Sequence, residues 1–160
     1  MSVDMFIKIG DIKGESVDDK HKDEIDIISW SWGGSQSGST HMGTGGGSGK
    51  VSIQDLSFKK WVDKSTPILF KTMCEGAHIK EAVLVVRKAG GKPVEYVKIT
   101  LTDVMVTSMS TGGSGSDDRL SESVTLNFAQ FKLEYVPQKN DGSAMAAIQM
   151  AWNIAVNKGA

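Results

Sequence analysis

The chain has 160 residues, 18 basic and 19 acidic side chains, a formal net charge of −1 and one cysteine. That length suits a single domain, residues 1–160, with a core of ordinary size. The near-neutral charge argues against a nucleic-acid partner, and Cys74 alone excludes an internal disulfide or a cysteine-built metal site. No apolar run approaches the ~20 residues of a bilayer crossing, so no membrane insertion is expected. The first residues have neither the basic nor the apolar region of a secretory signal.

Val3, Met5, Ile7 and Ile9 recur at every second residue and predict an opening strand. The charged stretch from Gly10 to Glu24 reads as a solvated excursion. A second strand runs from Glu24 to Trp32, with Ile28, Trp30 and Trp32 on an apolar face and Ser29 and Ser31 opposite, because side chains alternate along a strand. Trp30 and Trp32 are expected to face the core. From Gly33 to Lys50 the chain is a glycine tract, which holds neither helix nor central strand and reads as a long arm. A third strand, Val51 to Leu56, leaves that tract.

Ser65-Thr66-Pro67 supplies a capping hydroxyl and a first-turn proline for a helix. Ile68, Leu69, Phe70, Met73 and Cys74 form its apolar side, with Cys74 a small core residue, and Gly76 ends it. Three longer strands follow: about Lys80 to Lys88, Val94 to Met109 and Arg119 to Val136, the first two joined by a hairpin turn at Ala89–Pro93. Two of them change phase. Val97, Ile99 and Leu101 give way to Val104 and Val106, and Leu120, Val124, Leu126 and Phe128 give way to Phe131, Leu133 and Tyr135. A slip of this kind marks a bulge or bend, and long bent strands wrap a barrel or sandwich. In the last segment, Ala144 to Trp152 has helix propensity, while Gln149 to Val156 also reads as a closing strand; propensity favours the helix.

The chemistry of an enzyme is missing. A phosphate loop needs glycine where Thr44 stands, Ser or Thr where Val51 stands, and a helix after the loop. No Gly-x-Ser-x-Gly elbow surrounds Ser35, Ser48 or Ser114. His21, His41 and His78 have no partner at metal-ligand spacing and read as solvated or locally bonded. Asp117 and Asp118 with Asp103 offer a carboxylate pair that a polar loop explains equally well. No cofactor is implied.

Several segments in order carry a resemblance. They are Met5-Phe6-Ile7-Lys8-Ile9-Gly10-Asp11 with Lys13-Gly14-Glu15-Ser16, Trp30-Ser31-Trp32-Gly33, His41-Met42-Gly43, Gln54-Asp55-Leu56-Ser57-Phe58 and Asp63-Lys64-Ser65-Thr66-Pro67. Ser110-Thr111-Gly112-Gly113-Ser114-Gly115 with Asp118-Arg119-Leu120, Val124-Thr125-Leu126-Asn127-Phe128-Ala129, Pro137-Gln138-Lys139 and Trp152-Asn153-Ile154 complete the series. Together they resemble the haemolysin-coregulated protein (Hcp) family of bacterial type VI secretion systems over essentially the whole chain. The Ala- and Met-rich stretch after Gly142 departs from the family pattern.

The resemblance implies a mainly β fold, a β-barrel-like pair of antiparallel sheets with one flanking α-helix. It implies a homo-hexamer whose rings stack into an inner tube, with a spike protein and a contractile sheath as further partners and secreted effectors in the lumen. The protein would be cytoplasmic until fired out of the cell without a signal peptide, and would not be an enzyme. On this reading Ser29 and Ser31 face the lumen, and Gly43, Gly45, Gly46, Gly47 and Gly49 form an arm for ring or stacking contacts. The alternative from another class is a monomeric β-sandwich ligand-binding module, which would need Trp30 and Trp32 exposed as stacking platforms.

Overall fold

The computed structural model describes residues 3–38, 49–89 and 93–160. In chain order the elements are β1 (Val3–Ile9), β2 (Ile25–Ser31), β3 (Gly34–Ser35), β4 (Ser52–Ile53), β5 (Leu56–Trp61), α1 (Ser65–Glu75), β6 (Ile79–Lys88), β7 (Glu95–Thr111), β8 (Ser121–Tyr135), β9 (Ile148–Asn153) and β10 (Lys158–Gly159). Six strands close into a mainly β, antiparallel barrel in the order β1-β2-β5-β8-β7-β6, and β6 returns to β1. Strands β9 and β10 extend from β8, and β3 with β4 forms a separate two-stranded ribbon.

The core is the inward row of each strand. Ile7, Ile9, Ile25, Leu56, Leu84, Ile99, Leu101, Val104, Val124 and Leu126 are all essentially inaccessible to solvent. The expected phase slips are present. Along β7 the buried side chains change from Ile99 and Leu101 to Val104 and Val106, across Asp103, whose φ is +56°. Aspartate tolerates that left-handed conformation better than most side chains. Opposite it, β8 changes from Phe128 to Phe131, so both strands turn together at one corner. A further slip lies in β2, where the register shifts between Ile27 and Ser29; the inward row passes from Ile25 and Ile27 to Trp30, and Ile28 is only half-buried at the irregularity.

Four expectations need correction. The strand leaving the glycine tract is short, and the one that builds the barrel is β5, which continues to Trp61 through a buried Lys60. The C-terminal segment is strand, not helix: Ile148 to Asn153 pair with Tyr135 to Gln130. Strand β5 pairs with β8 only as far as Leu126, so the second half of β8 has an open edge whose unpaired backbone groups outweigh intrinsic helix propensity. In α1, Cys74 is exposed, as are Ile68 and Phe70, and only Ser65 and Leu69 are buried. Ser65 also does not cap the helix by its own hydroxyl; Asp63 Oδ1 instead accepts from the Ser65 backbone N–H at 2.9 Å and from its hydroxyl. Gly76 does end the helix, in the left-handed conformation at φ 60°.

Helix α1 is held down by charge inside the barrel. Lys60 and Glu122 point inward from β5 and β8, both fully buried, with Nζ and Oε2 2.5 Å apart. Thr66 Oγ1 donates to the same Glu122 oxygen at 2.6 Å, and Lys60 Nζ lies 3.1 Å from Asp63 Oδ1 and donates to the Trp61 carbonyl at 2.8 Å. Lys60 thus has several partners and Glu122 Oε2 has two, which helps the ion pair survive burial, although Glu122 Oε1 is buried without a hydrogen-bond partner among the described residues. Leu69 reaches the core from the next turn of the helix.

The fourth correction concerns residues 10–24, which are not a free, solvated excursion. Backbone bonds Gly14 N–H to Asp23 O, Ser16 N–H to Glu24 O and Asp23 N–H to Ser16 O fold the segment on itself. At Gly14 a side chain would meet the Glu24 carbonyl at 2.5 Å. The segment covers outward-facing Phe6, which is only 4% exposed. His21 stacks on the Phe6 ring with centroids 4.4 Å apart, and its Nδ1 and Nε2 lie 3.0 Å and 2.6 Å from Glu24 and Glu95. Arg87 sits over the same ring at 5.1 Å and donates two hydrogen bonds to the Asp18 carboxylate, at 2.6 Å and 3.0 Å. The guanidinium lowers the Asp18 carboxyl from 3.8 to about 2, and Asp18 in turn raises the pKa of Arg87.

Candidate functional site

Along the stretch of β2, β5 and β8 where Trp30, Phe58 and Val124 turn inward, the opposite face is mostly hydroxyl, with Lys59 among it. Register places Trp30 beside Phe58 and Phe58 beside Val124, all turned inward. One step along, Ser31 lies beside Ser57, Ser57 beside Thr125, and Thr125 beside Ser108 of β7. One step the other way, Ser29 lies beside Lys59, Lys59 beside Ser123, and Ser123 beside Ser110. Two parallel rows of polar side chains, short except for Lys59, therefore cross four strands. Ser57 and Thr125 share a hydrogen bond at 3.1 Å. Ser29, Ser31, Ser57, Lys59 and Ser123 line a shallow groove of about 220 Å³, open to solvent, whose floor touches Trp30 and Phe58.

Ser29 and Ser31 are exposed and Trp30 and Trp32 pack against the core, as the alternation in β2 predicts. Trp32 meets the Phe131 ring edge-on at 4.9 Å. The site is wider than the two serines expected from β2, because Ser57, Ser123, Thr125, Ser108 and Ser110 belong to it as well. The signal was there: Ser121, Ser123 and Thr125 recur at every second position of β8, as Ser108 and Ser110 do in β7.

The wall can do little chemistry. Its one charged residue is Lys59, and among the described residues no three His, Cys, Asp or Glu side chains gather to hold a metal. Asp103 lies 2.7 Å from His78, both exposed, while Asp117 Oδ2 accepts from the Ser114 backbone N–H within its own turn at 2.9 Å. The suggested carboxylate pair is thereby split between two separate local bonds.

The glycine tract begins and ends as the ribbon β3–β4, closed by Gln54 N–H to Gly33 O at 2.9 Å. Gly49 lies close to Ser37, whose hydroxyl a side chain at position 49 would meet. Gly43, Gly45, Gly46 and Gly47 lie outside the described residues.

Residues 6–135 match the family model described as type VI secretion system effector, Hcp. The chain belongs to the Hcp family. It is 59% identical to protein hcp1 of Pseudomonas aeruginosa over 159 residues, covering 98% of each chain. A solved type six secretion system protein superposes with a TM-score of 0.93 at 29% identity, over 99% of this chain and 100% of that one. Hcp1 from Salmonella typhimurium superposes at 0.81 with 38% identity over the full length of both chains. Hcp is a secreted, structural type VI component and not a known enzyme family. Among the described residues no helix is long and apolar enough to cross a membrane.

Proposed function

We propose that this Hcp-family chain is the repeating subunit of the type VI inner tube. Six copies form a ring with Ser29, Ser31 and the hydroxyl rows beside them facing the lumen, and rings stack. The lumen carries effectors, and the tube leaves the cytoplasm without a signal peptide, when the sheath contracts behind it and the spike leads. The observation that carries this reading is the wall itself. A sheet face four strands wide, built from serine and threonine around one lysine, exposes apolar surface at the Trp30 and Phe58 floor of its shallow groove and, among the described residues, gathers no metal-binding cluster. Such a face suits contact with varied passengers and fits no single substrate. Trp30 and Trp32 are partly buried against the core, with Trp30 reaching only the floor of the groove, so neither stands out as the platform a ligand-binding module would need.

Electron microscopy and native mass measurement of the purified chain test the ring, with six-membered rings around an open centre expected. Ser31→Gln, bulky but polar, should leave folding and ring mass unchanged while lowering the amount of effector recovered with the rings. A chain that stays monomeric at tens of micromolar, or Ser31→Gln rings that retain effector as the wild type does, would sink the proposal.

A further inference from the structure

Strands β7 and β8 form one long antiparallel hairpin, with Thr111 beside Glu122 at its closed end and Val97 beside Tyr135 at its open end. The two ends differ in chemistry. The closed end is the turn 112–120, every residue of which is exposed. Asp117 and Asp118 sit in that turn, which is held by Asp117 N–H to Ser114 O at 3.0 Å and by Ser114 N–H to Asp117 Oδ2. Among the described residues neither carboxylate takes part in an ion pair, and the neighbouring Arg119 is turned onto the Trp61 ring at 4.6 Å.

At the open end, Lys88, Tyr96, Tyr135, Val136, Gln138 and Lys139 line a cleft of about 330 Å³. Among the described residues that line it there are two lysines and no acid. Lys88 Nζ donates to Gln138 Oε1 at 2.9 Å and lies 5.7 Å from the centre of the Tyr96 ring, so the cleft positions its charge by neutral partners. Tyr135 is half exposed beside it.

A basic, aromatic cleft with positioned donors suits a carboxylate-bearing turn. The chain's own acidic turn is not among the residues that line the cleft, and the two stand at the two ends of the bent hairpin. Two complementary patches that do not meet within one molecule suit a head-to-tail contact, which closes into a ring or, where the rotation does not close, repeats along an axis. We infer that the 112–118 turn of one copy docks, through Asp117 and Asp118, into the Lys88–Tyr96–Tyr135–Lys139 cleft of the next copy along the stack. This rests on the tube reading above and assigns the ring-to-ring contact within it.

Charge reversal tests the contact. Asp117→Lys/Asp118→Lys rings and Lys88→Glu/Lys139→Glu rings should each keep the wild-type ring mass, while the stacked fraction in sedimentation and micrographs falls at least tenfold. Each variant carries like charges at both ends, so mixing the two in equal amounts should restore stacks in which they alternate. Raising salt from about 0.1 M to about 1 M, which shortens the screening length from about 10 Å to about 3 Å, should shorten wild-type stacks. Stacking that persists in either variant, or that mixing fails to restore although both variants form intact rings, overturns the inference, as do wild-type rings that never stack. If the wild type forms no rings, the tube reading falls. The same variants and their mixture then read the contact directly in head-to-tail association of single chains, and unchanged association sinks it.

Discussion

Two polar clusters hold this barrel together, and they differ in where they lie. The inner one, Lys60 and Glu122 with Thr66 and Asp63, is sealed inside the wall beneath helix α1. The outer one, Arg87 and Asp18 with His21, Glu24 and Glu95, lies over Phe6 on the outside, and the Asp18 side chain keeps 22% of its exposure. Both use a cation, carboxylates and short hydrogen bonds. Their consequences diverge, because a charge inside the barrel has nowhere else to be solvated, whereas a charge on the outside can turn back to water.

The largest effect should follow from breaking the inner pair on one side only. Glu122→Ala leaves the Lys60 ammonium buried without its main counter-charge and should cost roughly 3–5 kcal/mol of unfolding free energy in urea titration. Lys60→Met/Glu122→Leu removes both charges and should recover most of that loss. A double variant as unstable as the single one would mean that the cluster contributes packing, not charge compensation. Next comes Arg87→Ala, which removes the bidentate bond to Asp18 and the cation over Phe6, for a cost of roughly 2 kcal/mol. The damage should be local: hydrogen exchange should quicken across residues 10–24 while Leu84 and Leu101 stay protected. Quickening throughout the barrel would contradict the view that this clamp only fastens a covering segment.

Acid offers a gentler probe of the same contrast. The carboxyl of Asp18 is lower in the folded chain, at about 2, than its ordinary 3.8. Its stabilising contribution is therefore complete above that ordinary value and is lost as pH falls toward about 2. Residues 10–24 should loosen in that window, and Arg87→Ala should remove this part of the acid response. The smallest effect belongs to His78 and Asp103, 62% and 54% exposed. His78→Ala should change stability by about 0.5 kcal/mol or less; a larger loss would show that the left-handed corner at Asp103 depends on that bond.

The legibility of the fold in the sequence follows the same division. Strands β6, β7 and β8 announce themselves because apolar residues alternate, and even their phase slips are visible at Leu101–Val104 and Phe128–Phe131. Strand β5 runs past the expected end at Leu56 because its third inward position is Lys60, whose main counter-charge, Glu122, is 62 residues away. The 10–24 segment looked solvated because its charges are local in sequence, whereas their partners Arg87 and Glu95 are not. Helix α1 buries a narrower side than its apolar residues suggest, because only Ser65 and Leu69 are buried and Met73 packs against the core in part. For β9, the decisive fact was an open edge on a distant strand, which composition cannot report. At the candidate site, Ser29 and Ser31 were readable from β2 alone, but the rows they belong to exist only after four strands are brought into register.

Those rows have a mechanical meaning. Serine and threonine are short, so a molecule resting on them displaces few rotamers and finds no deep hold, apart from the flexible reach of Lys59. Adhesion to such a lining is spread thinly over area, as on a low-friction bearing, and no single spot dominates residence time. A passenger would be released quickly once confinement ended, with off-rates that change little when any one hydroxyl is replaced by alanine. A single serine whose removal lengthened or shortened residence a hundredfold would show that the wall grips after all.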